Sequence, residues 1–238
     1  NATPICMVTV DTATGANIIV WNKEQNLGIS EYEIYKETSS FNVFQLLGTV
    51  PFDSLSQFVD TAANSGTHSY RYKLRTLDSC SNASDFLAYH KTIHLASNIG
   101  LNNVINLSWD DYIGFAYSTF YINRYHPSTG WELIDSVASN VHSYTDNSGL
   151  SITGLEYGIE VVPSSPCLAE KAQDHNTTRS NRASILQPND DTVIDELLAE
   201  QFTIMPNPTN GIFTLYFDGL ATEKNIEIFD LQGKRLAN

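Results

Sequence analysis

A pair of histidines, two pairs of aspartates and three cysteines are the residues whose types and spacing could bind a metal or perform chemistry. His90 and His94 lie four positions apart, a spacing that would place two zinc ligands on one face of a helix. The glutamate of the HExxH pattern is missing, and the surrounding β-branched residues favour a strand. We therefore interpret both as structural histidines and expect no metal site.

The aspartate pairs Asp110–Asp111 and Asp190–Asp191 lack the alternating oxygen ligands of a dedicated calcium loop, so we interpret them as solvated turn residues. The sequence has no G-x-S-x-G elbow, P-loop, dinucleotide fingerprint or kinase signature. Two glycosidase carboxylates placed across a cleft stay an open alternative, although small sandwiches offer no obvious cleft. We expect no catalytic residue, no cofactor and no enzymatic activity in these residues.

Composition limits the class of the protein and its partners. Of 238 residues, 27 are acidic and 13 are basic, which gives a formal net charge of −14, and 42% are hydrophobic. That hydrophobic fraction suffices for packed cores, and the length suggests two domains with room for a small third. We expect no nucleic-acid partner, because an acidic chain without a basic stripe repels phosphates. We expect no transmembrane span, because no window has the roughly 18 apolar residues required.

The elements that must position these residues are predicted to be strands. Short runs rich in Tyr, Phe, Val, Ile and Thr are broken at intervals of roughly 8–12 residues by turn residues. The best candidate for a helix is one short stretch, Thr192–Gln201. This pattern predicts an all-β protein built from antiparallel sandwiches.

The sequence contains an internal repeat of just under 90 residues. Trp21 recurs as Trp109, 88 positions later, and Tyr32–Ile34 recurs as Phe120–Ile122 at the same interval. Each copy is long enough for one small sandwich. The other predicted correspondences are Phe58–Asp60 with Tyr144–Asp146, and Tyr70, Tyr72 and Leu74 with Tyr157, Ile159 and Val161.

In the first copy, a tryptophan ends the predicted second strand, and YEIYKE (residues 32–37) and YRYKL (residues 70–74) follow it. These motifs resemble fibronectin type III modules, and more narrowly the paired modules of large secreted proteins of Bacteroidota. The resemblance covers Pro4 to Leu186 and implies two tandem fibronectin type III-like β-sandwiches, at residues 1–95 and 96–187. Residues 164–182 resemble an enlarged loop between the last two strands of the second module.

The composition changes after the second module. Residues 188–201 are acidic and contain no basic residue, which predicts a solvated linker. Residues 202–217 predict strand, turn and strand, because Pro206 and Pro208 cannot donate ladder hydrogen bonds and Asn210–Gly211 favours a reversal. Residues 225–230 alternate as a further strand.

This tail resembles the type A C-terminal sorting domain of type IX secretion, through P-N-P-x-x-G, F-T-L and I-x-I-F-D-x-x-G-K-R. The resemblance implies that residues 202–238 dock on the outer-membrane translocon and sortase machinery and that the protein is secreted or attached to the cell surface. Members of that family continue with a closing strand, so we expect a domain truncated at Asn238. The matching positions are Pro206, Asn207, Pro208, Gly211, Asp230, Gly233 and Lys234.

Sandwich topology also bears on the three cysteines, which are too few for a disulfide-dense scaffold and lack CxxC spacing. In a type III module Cys6 would begin the first strand and Cys80 would lie in the turn after the sixth, at the same pole. Cys6–Cys80 is therefore the candidate disulfide of an exported protein. Cys167 would then remain a free thiol or pair outside the chain.

Five triplets contain Asp, then Ser or Thr, then an apolar residue. The pattern resembles the O-glycosylation motif of Bacteroidota, and an equally good interpretation is that Asp–Ser/Thr suits turns and strand ends. The candidate O-glycosylation positions are Thr12, Ser54, Thr61, Ser136 and Thr192.

The leading hypothesis is a non-enzymatic C-terminal segment of a secreted cell-surface protein, with spacer or adhesion modules and an export signal. Asn1 is not a start methionine and no signal-peptide pattern follows it, so we expect a longer or processed protein. The main alternative is a pair of glycan-binding accessory modules of a polysaccharide-degrading enzyme, and another is part of a gliding-motility adhesin. Glycan binding would require a row of exposed aromatic residues, for which the candidates are Tyr35, Phe41, Phe44 and Trp131.

Overall fold

A computed structural model describes residues 2–23, 28–100, 104–151, 153–164, 167 and 176–185, together with the backbone of four short strands between residues 202 and 237. The chain divides into two compact units, Asn1–Pro188 and Asn189–Asn238. Every regular element in the described residues is a β-strand, which confirms the predicted all-β class. In that part of the chain, no helix is long and apolar enough to cross a membrane.

The first module contains two sheets that enclose a common core. Its strands are β1 (Ile5–Val10), β2 (Asn17–Trp21), β3 (Ile29–Glu37), β4 (Phe44–Pro51), β5 (Gln57–Asp60), β6 (Arg71–Asp78) and β7 (His90–Lys91). Their order is β1-β2-β5 in one sheet and β4-β3-β6-β7 in the other. This division of antiparallel strands is that of a fibronectin type III-like sandwich.

The second module repeats this arrangement within the same compact unit. Its strands are β8 (Leu95–Ile99), β9 (Ile105–Trp109), β10 (Thr119–His126), β11 (Gly130–Ala138), β12 (Ser143–Asp146), β13 (Glu156–Val161), β14 (Thr178–Arg179) and β15 (Ala183–Ser184). One sheet has the order β12-β9-β8, and the other has the order β11-β10-β13-β14, with β15 also pairing with β13. The limits predicted for the two modules stay predictions.

Equivalent aromatic pairs occupy the two cores. The ring centroids of Trp21 and Tyr32 are 5.0 Å apart in the first module, and those of Trp109 and Phe120 are 5.6 Å apart in the second. All four side chains are buried, because alternate residues of a strand point to the same face. Each contributes roughly 2–3 kcal/mol by burial. The apolar cluster that contains them runs through both modules.

Strand pairing corrects one part of the predicted repeat. Tyr72 lies opposite Lys36 in the first module, and Tyr157 lies opposite Arg124 in the second. Because Lys36 and Arg124 are 88 positions apart in the sequence, Tyr72 corresponds to Tyr157 and not to Ile159. The predicted alignment is displaced by two residues there, since the second module has shorter connections between these strands.

The structure also corrects the predicted disulfide. Cys6 bonds to Cys167, with 5.8 Å between the Cα atoms, and Cys80 is an exposed free cysteine. A β-bulge between Ile5 and Met7 shifts the register of β1. Cys6 therefore packs with Met7 and the buried Cys167, in a cluster separate from the main core. Cys80 follows β6 of the opposite sheet, so sharing a pole does not bring its sulfur to Cys6.

The second compact unit contains two antiparallel strand pairs in its described residues. Strand β16 (Phe202–Met205) pairs with β17 (Thr214–Phe217), and β18 (Ile228–Phe229) pairs with β19 (Arg235–Ala237), both antiparallel. The two strands predicted within residues 202–217 are confirmed, and the turn predicted between them lies outside the described residues. The helix candidate Thr192–Gln201 lies outside the described residues.

Candidate functional site

A buried aspartate joins the two sheets of the first module. Asp60, at the end of β5, accepts a hydrogen bond of 2.8 Å from the hydroxyl of Tyr72 on β6. The same carboxylate lies 2.8 Å from the ammonium group of Lys36 on β3. The Tyr72 oxygen in turn accepts a hydrogen bond from Asn17, and burial raises the pKa of Tyr72, which keeps this hydroxyl protonated.

The second module has the same arrangement with an arginine. Asp146 accepts hydrogen bonds from Tyr157, at 2.8 Å, and from Arg124, at 2.7 Å, and Arg124 also pairs with Glu132. Burial alone would raise the pKa of Asp146, but the hydrogen bonds from Arg124 and Tyr157 outweigh it and lower the pKa. In each cluster the buried carboxylate is bonded to side chains of the opposite sheet and so connects the two sheets of its sandwich. We assign them a structural role.

The edge of strand β1 is covered by the second module. The backbone N–H of Val8 donates to the hydroxyl of Tyr112, at 3.3 Å, and the Val8 carbonyl accepts from the hydroxyl of Thr178. The N–H of Arg179 donates to the hydroxyl of Thr9, at 3.0 Å. Backbone groups that an edge strand would otherwise expose are thus bonded across the junction.

A buried histidine lies at the same junction. His90 of β7 shares a hydrogen bond of 2.9 Å with the Tyr112 hydroxyl through its Nδ1 atom. Burial lowers the pKa of His90 to about 4, so the ring is neutral at pH 7. Gly114 completes the contact, because a Cβ atom at that position would lie only 2.1 Å from Nδ1 of His90.

Two further polar side chains fix the short connection between the modules. The amide of Asn181 accepts from the Leu95 N–H, at 2.8 Å, and donates to the Leu95 carbonyl, at 2.9 Å, so it mimics a strand partner. Asp110 accepts from the His94 N–H at 2.8 Å and lies 3.2 Å from the ammonium group of Lys91. These bonds are buried or half-buried, where a net contribution of ~1 kcal/mol each is expected.

Three of the four aromatic residues predicted for glycan binding share one surface of the first module. Phe44 contacts Tyr89, and cationic side chains of β6 lie over the rings in succession. We call this surface the aromatic–cation face. Its members are Tyr35, Phe41, Phe44, Phe86, Tyr89, Arg71, Lys73 and Arg75.

Trp131 belongs to a different surface, so the four predicted aromatics form no single row. It lies on β11 of the second module, packs over Gly158 and is 42% exposed. The guanidinium carbon of Arg182 lies 5.2 Å from its ring centroid. Trp131 and Arg182 line a cavity of about 280 Å³, which also includes Thr12 from the first module and Glu160 from β13.

The predicted histidine and aspartate pairs have separate partners. His94 bonds through Nε2 to the carbonyl of Gly66, at 3.1 Å, whereas His90 contacts Tyr112. Asp111 lies 2.7 Å from Nε2 of His142, and hydrogen bonding from that ring lowers the Asp111 pKa. Asp110 and Asp111 are therefore bonded residues and not merely solvated ones, which corrects our interpretation. No group of three or more metal-ligating side chains comes together within the residues described.

The remaining predicted sites keep the status of predictions. Ser54, Thr61 and Ser136 are exposed and Thr12 is half-buried, whereas Thr192 lies outside the described residues. The aspartate pair Asp190–Asp191 and all the predicted sorting positions lie outside them too. The sorting positions concerned are Pro206, Asn207, Pro208, Gly211, Asp230, Gly233 and Lys234.

Sequence reasoning missed the residues of the junction. Tyr112 and Asn181 carry no motif, and nothing in their neighbourhood marks a contact with the first module. Lys36 and Arg124 did leave a signal, because two basic residues 88 positions apart occupy the same place in the repeat. Their buried aspartates recur as well.

The geometry defines a class of protein: an all-β chain of two interlocked type III-like sandwiches followed by a separate β tail. Residues 203–238 match the family model of the secretion system C-terminal sorting domain, Por_Secre_tail. The chain therefore carries a type IX sorting domain, which marks it for export to the cell surface or the surroundings and implies an origin in Bacteroidota.

The other comparisons add little. No curated protein matches the chain. A two fibronectin type-III domain segment from chicken tenascin is 12% identical, with a TM-score of 0.30, over 76% of this chain and 98% of that chain. The FN1-FN3 domains of chicken CNTN1 are 12% identical, with a TM-score of 0.32, over 77% of this chain and 66% of that chain. Because both TM-scores are this low, the fold is assigned from the order and pairing of the strands.

Proposed function

We propose that this exported protein uses its two sandwiches as one rigid spacer or adhesion unit at the cell surface. In this proposal the tail docks on the outer-membrane translocon and sortase machinery, and neither part performs catalysis. The observation that carries the proposal is the sorting-domain match at residues 203–238. A surface unit built this way holds whatever is attached to it at a fixed distance and orientation.

The junction between the modules supports rigidity. A flexible spacer would have a solvated linker between modules, whereas here the connection at Leu95 is bonded to Asn181. The Cys6–Cys167 disulfide closes a segment with a sequence separation of 161 residues across the same junction. The buried bonds of Val8 and His90 with Tyr112 add a third connection.

Docking of the tail is proposed to depend on its backbone. The strand pairs β16–β17 and β18–β19 can present strand edges to a partner, and pairing along such an edge supplies affinity through main-chain hydrogen bonds. The partner would therefore recognise the shape of the tail together with the few residues that fix its turns.

Export by the tail is tested by deleting residues 202–238 in a host that has the type IX machinery. We expect the deleted protein to accumulate in the periplasm, folded and resistant to protease, while the full chain reaches the surface. The matched control is Cys80→Ser, a change at an exposed free cysteine, which should be exported normally. Surface delivery of the deleted protein at the level of the full chain would contradict the proposal.

A further inference from the structure

The cavity beside Trp131 has the chemical composition of a saccharide site. Trp131 is 42% exposed, whereas Trp21 and Trp109 are buried in the cores. An indole in contact with water at a concave site offers a broad apolar surface that is stabilised when another apolar face covers it. The C–H face of a sugar ring supplies such a cover.

Polar groups suited to sugar hydroxyls stand around this indole. Glu160 and Arg179 form an ion pair of 2.5 Å, and the side chain of Arg179 is 51% exposed, so part of its guanidinium lies at the solvent. Asn123 lines the cavity and offers both an amide donor and a carbonyl acceptor. Thr12 contributes a hydroxyl from the first module, 3.4 Å from Arg182.

The charge and volume of the cavity limit the chemical class and size of its ligand. Each arginine at the cavity has a glutamate partner, Arg179 with Glu160 and Arg182 with Glu156, so the site has no excess positive charge to attract an anion. The cavity volume, about 280 Å³, lies just below the ~300–1,000 Å³ typical of small-molecule sites. A single sugar unit fits these limits better than a long chain segment or a nucleotide.

We propose that this cavity binds one neutral pyranose unit of a glycan. The ring stacks on the exposed part of the Trp131 indole, beside the Arg182 guanidinium that lies 5.2 Å from the indole ring centroid, and its hydroxyls bond to Glu160, Arg179 and Asn123. Because Thr12 comes from the first module and the other groups from the second, the site is complete only when the junction holds the two modules together. This binding activity goes beyond the proposed role in spacing and export.

The test follows the indole N–H resonance of Trp131 by NMR in the full chain. The probes are the methyl glycosides of glucose, galactose, mannose and N-acetylglucosamine, with glucuronic acid as a charged comparison. The protein is first shown by intact mass to carry no sugar at Thr12. At least one neutral glycoside should shift the Trp131 signal saturably, with a Kd of ~1 mM or below, and leave the signals of Trp21 and Trp109 unchanged.

Variants distinguish this cavity from the aromatic–cation face. Trp131→Ala, followed by ligand-observed NMR, should weaken binding roughly tenfold or more, since a central aromatic residue usually dominates such a site. Arg179→Ala keeps the indole reporter and removes one proposed partner of the sugar hydroxyls, so it should weaken binding less than Trp131→Ala. Phe41→Ala is the matched control, because it removes an even more exposed aromatic residue from the first module and should change nothing.

Three results would overturn the proposal. The first is the absence of a saturable shift with every neutral glycoside. The second is an equal loss of binding in Phe41→Ala and Trp131→Ala, with both variants shown by thermal unfolding to be folded. The third is tighter binding of glucuronic acid than of any neutral probe, since that would contradict the balanced charge of the site.

Discussion

The two modules have nearly the same interior and different surfaces. In both, a buried aspartate joins a tyrosine of the neighbouring sheet to a cation, Lys36 in the first module and Arg124 in the second. On the outside they diverge, because the first carries the aromatic–cation face and the second carries Trp131 beside a cavity. The two modules therefore share the buried cluster that connects their sheets, whereas their surfaces differ.

The modules also differ where they meet. His90 lies opposite Tyr72 in the first module, and Ala183 lies opposite Tyr157 in the second. Only the first module has a titratable group at this position, and its ring bonds to Tyr112 of the second module. The junction thus uses a histidine at a position where the second module has an alanine.

The largest expected effect comes from removing the disulfide between the two modules. Replacing Cys6 and Cys167 by serine removes a crosslink with a sequence separation of 161 residues, which constrains the unfolded chain. We expect the free energy of unfolding to fall by about 5 kcal/mol, as measured by urea denaturation under non-reducing conditions. Cys80→Ser should change it by no more than about 0.5 kcal/mol. Equal effects of the two changes would show that the crosslink contributes nothing.

The comparison between the interiors is tested at the two aspartates. Asp60→Asn and Asp146→Asn each leave a largely buried cation without one charged partner, and each should lower the free energy of unfolding by about 2–4 kcal/mol. Asp146→Asn should cost less, since Arg124 keeps its pair with Glu132. The control is Asp53→Asn at an exposed turn. A change in the free energy of unfolding near zero at either buried aspartate would show that the two clusters do not have the same structural role.

The smallest effect concerns pH. The His90 pKa is lowered to about 4, below its value of about 6.5 in the unfolded chain, so the unfolded state binds the proton more readily. The contribution of neutral His90 to the free energy of unfolding is fully present above pH 6.5 and is lost as the pH falls toward 4. The free energy of unfolding should therefore fall by about 2 kcal/mol between pH 7 and pH 5. In His90→Gln this slope should disappear, whereas His68→Gln, at an exposed ring, should retain it. An unchanged slope in His90→Gln would assign the pH dependence elsewhere.

Much of the fold could be predicted because its signals are local. Alternation of apolar residues predicts strands and their buried faces, and the recurrence of Trp21 as Trp109 predicts a second copy of the same sandwich. The tail motif could also be recognised in the sequence, because proline, asparagine and glycine favour turn conformations of the backbone at their own positions. The displaced match of Tyr72 shows the limit, since loop lengths between copies change without a local signal.

The site at the junction could not be predicted in this way. Tyr112 and Asn181 bond to Val8 and Leu95, which lie far from them in the sequence. The same holds for the cavity, where Thr12 and Trp131 come from different modules. Such contacts depend on how two finished sandwiches pack, and no spacing within one module encodes that packing.

The amino-acid sequence by itself determined that the chain forms strands, that its sandwich occurs twice and that its end carries an export signal. Tertiary structure decided which cysteine Cys6 meets, because one bulge in β1 changes the side of the sheet that its sulfur faces. It also decided that the modules interlock and that Thr12 of the first module lines a cavity of the second. The physical reason is range: alternation and turn chemistry act over a few residues, whereas pairing and packing act between residues that only the folded chain brings together.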